Sequence, residues 1–386
     1  MNDSDSQTKA SLGIPQSAAS SSHHTPPQRA DVRPSAGSLV ARADKRDCQG
    51  PRDGTGKLAQ DVRERIRNHP CYSADAHHHF ARMHVPVAPA CNIQCNYCNR
   101  KFDCSNESRP GVVSRVLKPE QAVRKVAAVA RRLPELSVVG VAGPGDPLAN
   151  SRRTLLTCRL LREQFPDLRL CLSTNGLALP EHVEQLGELG IEHVTVTMNA
   201  IDPAIGARIH PWVFHNHQRY GGEEGAALLL RQQLAGIEQL AARNVLVKVN
   251  SVLIPGLNDE HLPAVSNAVR QRGAFLHNIM PLISAAEHGT HFGLSGQPVP
   301  STAQLQAVQA RCAGDMPQMN HCRQCRADAI GFLGEDQSAS FDGEQLDEQE
   351  PAESCESGAN VYAQLLRQQQ RRQALAQAAA EVEEGD

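Results

Sequence analysis

The chain has 386 residues, 40% of them hydrophobic but only 3% aromatic, and a formal net charge of −3. That length holds one large domain or two ordinary ones around a mainly aliphatic core, and the charge balance gives no electrostatic basis for a nucleic-acid partner. The N-terminus is polar and lacks an apolar h-region, and no uninterrupted apolar run reaches the length of a membrane helix, so the expectation is a soluble cytoplasmic protein without a membrane partner.

Residues 1–62 are rich in Ser, Pro, Asp, Gln and Arg, with almost no apolar periodicity. Such a segment buries too little to offset the entropy of ordering its backbone, and a disordered extension is expected. The folded body is expected over 63–335. The remainder, 336–386, is acidic and Gln-rich through Glu344, Asp347, Glu348 and Glu350; its stretch 361–384 has helical composition but little to bury.

Within the body, short runs rich in Val, Ile and Leu alternate with segments of helical period, the pattern of repeated βα units and a parallel sheet. Strands are expected at 83–88, 137–142, 168–174, 193–198, 245–252 and 274–280. Lys118-Pro119-Glu120 reads as a helix entry with Pro in the first turn, and Gly190 as a helix exit. The strands carry a second signal. Leu168, Leu170 and Leu172 oppose Arg169, Cys171 and Ser173; Val194, Val196 and Met198 oppose Thr195, Thr197 and Asn199; Val245, Val247 and Val249 oppose Lys248 and Asn250. A doubly covered parallel strand is apolar on both faces, and an ordinary TIM barrel fills its interior with branched aliphatics. A polar inner face therefore predicts an α/β fold of the partial, TIM-like (β/α)6 barrel type, open enough for a large ligand. The competing architecture is an open α/β sheet with polar edge strands.

Twelve cysteines in a long chain without a secretory signal point to metal or redox work rather than disulfides. Cys91, Cys95 and Cys98 form a Cys-x3-Cys-x2-Cys run. Iron–sulfur clusters are normally held by four thiolates; three closely spaced ones leave one iron for an exogenous ligand, and an open position separates a reactive metal site from a structural one. Zinc ligands come as Cys-x2-4-Cys pairs completed elsewhere, which fits this run poorly. The spacing resembles the signature of the radical S-adenosylmethionine (SAM) enzymes. By that resemblance the three thiolates hold a 4Fe–4S cluster whose open iron takes the amine and carboxylate of SAM.

Sharp turns follow three expected strands: Ala142-Gly143-Pro144-Gly145-Asp146-Pro147, Ser173-Thr174-Asn175-Gly176 and Ile254-Pro255-Gly256. All lie at carboxyl ends, where βα loops build active sites. Glycine lets backbone approach a ligand closely, so Gly143, Gly145 and Asp146 are read as SAM-binding, together with Tyr97, Asn175 and Asn199. Among the other cysteines, Cys71, Cys104 and Cys171 are expected to converge near one mouth of the barrel, and Cys322-x2-Cys325 has metal-ligand spacing. Cys158 reads as a small buried apolar residue, and Cys48, Cys312 and Cys355 receive no role. In the stretch holding His77, His78, His79 and His84, a solvated helix face competes with imidazole ligation, and His69, two residues from Cys71, is the preferred ligand. Residues 210–220, with His210, Trp212, Phe214 and Tyr220, read as an aromatic lid or partner surface.

Several long stretches, from His69-Pro70-Cys71-Tyr72 through the triplet to Cys104, then those holding Gly143–Asp146, Asn175, Lys248–Asn258 and Cys322–Cys325, together resemble the NifB family of radical SAM enzymes over about 65–340. The resemblance implies enzymatic synthesis of the precursor of the nitrogenase iron–molybdenum cofactor. It implies a SAM-bound 4Fe–4S cluster on Cys91, Cys95 and Cys98, and two further 4Fe–4S clusters as substrate. One is expected on Cys71, Cys104 and Cys171, the other on Cys322, Cys325 and His69. Glu107, with Ser108 and Arg109, is a candidate for gating or ordering a cluster. Many members carry a C-terminal NifX-like carrier domain, for which this chain ends too soon, so delivery by a separate NifX-like carrier to a NifEN scaffold is expected. An iron–sulfur cluster donor and a low-potential electron donor such as ferredoxin or flavodoxin complete the implied partners. The alternatives are another radical SAM enzyme with auxiliary clusters, of the molybdenum-cofactor cyclase or peptide-maturase type, and a non-catalytic iron–sulfur scaffold.

Overall fold

A computed structural model of the chain describes residues 58–341, apart from Glu107, Arg109, Pro110 and Asp315. The N-terminal extension up to residue 57, the tail beyond Phe341, Cys48, Cys355, Glu107 and Arg109 lie outside the described residues.

In chain order the elements are α1 (Gln60–Ile66), β1 (Ala81–Pro86), β2 (Ile93–Gln94), α2 (Pro119–Arg132), β3 (Leu136–Ala142), α3 (Ser151–Gln164), β4 (Arg169–Thr174), α4 (Val183–Glu188) and β5 (His193–Thr197). They continue with α5 (Pro203–Ile209), β6 (Trp212–His215), β7 (Gln218–Gly221), α6 (Gly222–Ala242), β8 (Leu246–Leu253), α7 (Leu262–Arg270), β9 (Leu276–Pro281), α8 (His291–Leu294), α9 (Thr302–Cys312) and β10 (Ile330–Gly331). Local chemistry sets several of these boundaries. Pro119 opens α2, where the Lys118 amide donates to Gln121 Oε1 at 2.9 Å. Ser301 caps α9 through a reciprocal pair with Gln304. Gly190 leaves α4 with φ +65°, a conformation that suits glycine.

Six strands form the parallel sheet β1-β3-β4-β5-β8-β9, which curls into a half-barrel, with β10 added antiparallel on the outer edge of β1. The six expected strands coincide with these six to within two residues at each end. The helix-facing side is the apolar one: Leu170, Leu172, Val194, Val196, Met198, Val247 and Val249 join Val126, Leu161, Leu240 and Val265 in one aliphatic core. Each such side chain contributes about 1.5–3 kcal/mol on burial. The polar alternates turn to the concave side, as a half-barrel with a ligand-sized interior requires.

Three departures from expectation have simple causes. Helix α1 starts at Gln60, inside the stretch read as extension, because Ile66 and Val62 pack with Tyr72 and Leu276 in a small cluster of their own. The packed body runs past residue 335 to Phe341, 3% exposed, over which the Arg132 guanidinium lies at 4.4 Å. The 210–220 insertion is the hairpin β6–β7, turned by Asn216 and His217 at positive φ. It pairs with β2 through Ile93↔Val213 and Gln94↔Trp212, so it buttresses the cysteine run. No helix among the described residues is long and apolar enough to cross a membrane.

Leu172→Ala, at a fully buried position on the helix side of β4, is expected to cost about 2–5 kcal/mol. Leu294→Ala, 71% exposed, is expected to stay within about 0.5 kcal/mol of the parent; equilibrium urea unfolding under anaerobic conditions compares them.

Candidate functional site

Cys91, Cys95 and Cys98 lie on the connection from β1 to α2, with Cys91 partly buried and the other two buried. Backbone clamps hold this loop from two sides. On one, the Gly145 amide donates to Ala88 O at 2.7 Å, the Asp146 amide to Ala90 O at 2.8 Å, and the Val87 amide to Ala142 O at 3.0 Å. The approach is too close for side chains: a Cβ on Gly143 would stand 2.4 Å from Ala88 O, and one on Gly145 1.8 Å from Ala90 O. Arg100 adds bonds to Pro144 O at 2.8 Å and Pro89 O at 3.1 Å. On the other side, the Asn96 amide donates to Ile209 O and the Phe292 amide to Asn96 O, both at 2.9 Å.

This geometry changes the physical reason for the glycine-rich turn. Gly143 and Gly145 are required by backbone packed against backbone. Asp146 is likewise engaged within the protein: its carboxylate accepts from Thr174 Oγ1 at 3.0 Å, from the Asn175 amide at 2.5 Å, and from the amides of Leu148 and Ala149 at 2.9 and 3.3 Å. Burial raises its pKa, against the pull of those donors. Asn175 donates to Asn92 Oδ1 at 2.7 Å and reaches Cys91 Sγ at 3.7 Å. Asn199 Nδ2 donates to Tyr97 Oη at 2.7 Å, and that hydroxyl donates to Asn106 Oδ1 at 2.6 Å. All six residues read as SAM-binding therefore border the cysteine loop through bonds that position it.

The thiol groups fit an iron–sulfur cluster on electrostatic grounds. Burial, then the charge of Asp146, pushes the Cys91 thiol up to about 12. Burial and mutual repulsion with Cys98 and Cys91 push Cys95 well above the ordinary thiol range. Three thiolates side by side here need a positive centre between them, and bound iron supplies one.

A second constellation lies on the concave face of the sheet. One cavity, partly open to solvent, is lined by Cys71, Cys171, Cys322 and Cys325 with His69, His84, Thr195, Lys248, Asn250 and Asn278. The four cysteines come from three separate stretches of chain. The cavity adjoins the cysteine loop through Asn106, which accepts from Tyr97 and whose carbonyl accepts from Asn250 Nδ2 at 3.4 Å. Cys71 has its thiol pushed up to about 11 by burial, with Cys325 and Cys322 raising it further and Lys248 and Arg82 opposing them. Cys71 shares the cavity lining with Cys171, its expected partner, and also with Cys322 and Cys325, which the expected grouping set apart from it. Cys104 is buried but outside the cavity lining, its amide reaching Gly143 O at 3.4 Å. None of the ten described cysteines is in a disulfide, and no three His, Cys, Asp or Glu side chains among the described residues converge on a single metal-ion position.

His69 is fully buried, stacked on Tyr72 at 4.0 Å, and neither ring nitrogen has a hydrogen-bond partner among the described residues. Burial, then the charges of His193 and Lys248, holds it neutral. A neutral imidazole in the cavity wall keeps a lone pair that can accept a hydrogen bond or bind a metal. His84 was not singled out by sequence as a site residue, although it falls on the same strand face as Arg82. Its Nδ1 is 3.0 Å from Arg326 O, an acceptor only, so Nδ1 carries the proton and Nε2 the lone pair. Burial holds its pKa down at about 4. In register across the sheet, His84, Gly140 and Cys171 form one row. A Cβ on Gly140 would stand 2.9 Å from the His84 ring and 3.2 Å from Cys171 Sγ, so glycine keeps the space between them open.

Against known proteins, residues 85–269 match the radical SAM superfamily. The chain is 55% identical over 341 residues to the FeMo cofactor biosynthesis protein NifB of Herbaspirillum seropedicae, covering 88% of this chain and 64% of that protein. It is 62% identical over 277 residues to the protein of that name from Rhodobacter capsulatus, covering 72% and 61%. With that of Azotobacter vinelandii the identity is 58% over 303 residues, covering 78% and 60%. The chain thus spans about three-fifths of the length of these curated relatives.

Gly145→Ala forces the clamp on Ala90 apart, whereas a Cβ at Gly187 meets nothing within 4 Å. After anaerobic reconstitution, Gly145→Ala is expected to lose about one cluster's worth of iron, roughly four atoms, and Gly187→Ala none; chemical iron analysis reads both.

Proposed function

Because this chain belongs to the NifB family of radical SAM proteins, we propose that it fuses two 4Fe–4S clusters, with a carbide drawn from SAM and an added sulfur, into NifB-co, the eight-iron precursor of the nitrogenase iron–molybdenum cofactor. The observation that carries this reading is the cysteine-lined cavity adjoining the Cys91–Cys98 loop. A radical SAM enzyme acting on an organic substrate needs thiols only as ligands of its auxiliary clusters, whereas four cysteines and two histidines line this one cavity. A storage scaffold needs no loop clamped at the carboxyl end of the strands.

In this reading the body over 63–335, continued to Phe341, is the catalytic unit. Cys91, Cys95 and Cys98 hold the resident cluster, which when bound supplies the electron that cleaves SAM. A methyl group of one SAM and the 5'-deoxyadenosyl radical of a second provide the carbon and the hydrogen abstraction. The chain's own residues position and enclose. Asn175 and the bonded pair Tyr97–Asn199 fix the loop against the ends of β4 and β5. The Gly143–Asp146 turn keeps it in register with β3.

The two substrate clusters are assigned to the cavity. Cys71, Cys322 and Cys325 form one set, supported by their electrostatic coupling. Cys171 and the Nε2 lone pair of His84, which share the row through Gly140, form the centre of the other. His69 is a further imidazole donor in the same wall. Imidazole is neutral and exchanges more readily than thiolate, which suits a cluster that must be released from its site. Glu107 is retained as a candidate for gating or ordering a cluster. NifX-like carrier and NifEN scaffold proteins, a cluster donor and a ferredoxin or flavodoxin are the proposed partners.

The double variant Cys322→Ala, Cys325→Ala is expected to lose roughly four iron atoms while still cleaving SAM under dithionite. Unchanged iron content would refute the assignment. The parent, given dithionite, SAM, iron and sulfide without any nucleotide or peptide, is expected to form both 5'-deoxyadenosine and S-adenosylhomocysteine. If neither appears by chromatography, the scaffold reading wins; if both appear only once an organic substrate is added, the maturase or cyclase reading wins.

A further inference from the structure

Two cations are buried in the cavity region, Arg82 at 2% and Lys248 at 7% exposure. Neither is ion-paired to a carboxylate among the described residues, whose ion pairs involve Arg169, His215, Arg311 and Arg326. Arg82 directs Nη1 at three carbonyls, of Gly331 at 2.6 Å, Phe332 at 3.2 Å and Glu335 at 3.4 Å. Its Nη2 donates to Cys325 Sγ at 3.0 Å, and its Nε is buried with no hydrogen-bond partner among the described residues. The Lys248 ammonium lies 5.0 Å from the centre of the Tyr72 ring and lines the cavity, with its charge reaching Cys71, His69 and His84.

An ion removed from water costs several kcal/mol unless an opposite charge replaces the lost hydration. A cation–π contact returns only about 0.5–2 kcal/mol. The three carbonyls account for Arg82 as a strap on the C-terminal segment, but they leave its Nη2 on the Cys325 sulfur. Lys248 lines the cavity from β8, 7% exposed, with the Tyr72 ring as its aromatic neighbour. The missing opposite charge has a natural source, because a cubane carried on thiolates is a net anion.

We propose that Lys248 is the positioning cation of the cavity, meeting the anionic sulfur face of a bound iron–sulfur cluster, with Arg82 holding the Cys325 thiolate from behind. The inference rests on the assignment of substrate clusters to this cavity. A positive charge beside a cluster favours its reduced, more negative form and so raises its reduction potential. The same charge offsets the repulsion between two anionic clusters brought together for fusion, a step that otherwise opposes itself.

The test uses the full chain with Cys91→Ala, Cys95→Ala and Cys98→Ala, so that the cavity alone carries iron, reconstituted anaerobically with ferrous iron and sulfide. Electron paramagnetic resonance during mediated dithionite titration reads the midpoint potential of the cavity cluster in that parent and with Lys248→Met or Lys248→Arg added. The expected result is a more negative midpoint for Lys248→Met, returned toward the parent value by Lys248→Arg. Loss of iron from Lys248→Met that Lys248→Arg restores supports the same conclusion. A midpoint and iron content equal to the parent's in Lys248→Met overturns the role of Lys248 and leaves the cluster assignment standing, as does equal loss of iron in both variants. Should the parent itself bind no iron, the cluster assignment falls, and this inference with it.

Discussion

One buried carboxylate joins the parts of this molecule that matter most. Asp146 accepts from the Thr174 hydroxyl and the Asn175 amide at the end of β4, and from the Leu148 and Ala149 amides at the start of the next helical segment. Its own amide donates to Ala90 O, just ahead of the first cysteine of the loop. Burying a carboxylate is costly, but hydrogen bonds to a charged group are each worth about 1.5–3 kcal/mol, and several converge here. The result is a rigid joint between two strand ends and the cysteine loop, on which the placement of Cys91, Cys95 and Cys98 depends.

The second constraint is the unequal dressing of the sheet. Its convex side is aliphatic and is covered by helices, while its concave side carries thiols, imidazoles, amides and one ammonium group. A wall of that kind is poor as a core, because each polar atom turned inward needs a partner. Among the described residues, both ring nitrogens of His69 and of His193, and Arg82 Nε, have no hydrogen-bond partner. Stability in this molecule is thus supplied by the helix side, and the concave side is left for chemistry. The hairpin β6–β7 and the segment around α8 brace the loop from outside, so the reactive face can stay open.

Much of the fold was legible in sequence because parallel strands are short, aliphatic and regularly spaced, and because a period-two alternation of Leu170, Leu172, Val194 and Val196 with Cys171, Ser173, Thr195 and Thr197 names a face. The β6–β7 hairpin was not legible: its partner is the two-residue strand Ile93–Gln94, and a pairing between segments far apart in the chain leaves no local pattern. The same limit applies to the glycines. Their presence at 143 and 145 marks a close approach, but sequence cannot say whether ligand or backbone is the approaching group, and here it is Ala88 and Ala90.

The sequence by itself determined the barrel class, the cysteine triplet and the candidate sulfur donors, because strand periodicity and ligand spacing are local properties written into consecutive residues. Tertiary structure alone decided which donors stand together. Cys71 meets Cys322 and Cys325, and His84 meets Cys171 across Gly140, because β10 folds back onto β1 and sheet register sets the rows. It also decided that Arg82 and Lys248 are not ion-paired to an acid among the described residues, since charge balance within a cavity is a sum over elements distant in the chain.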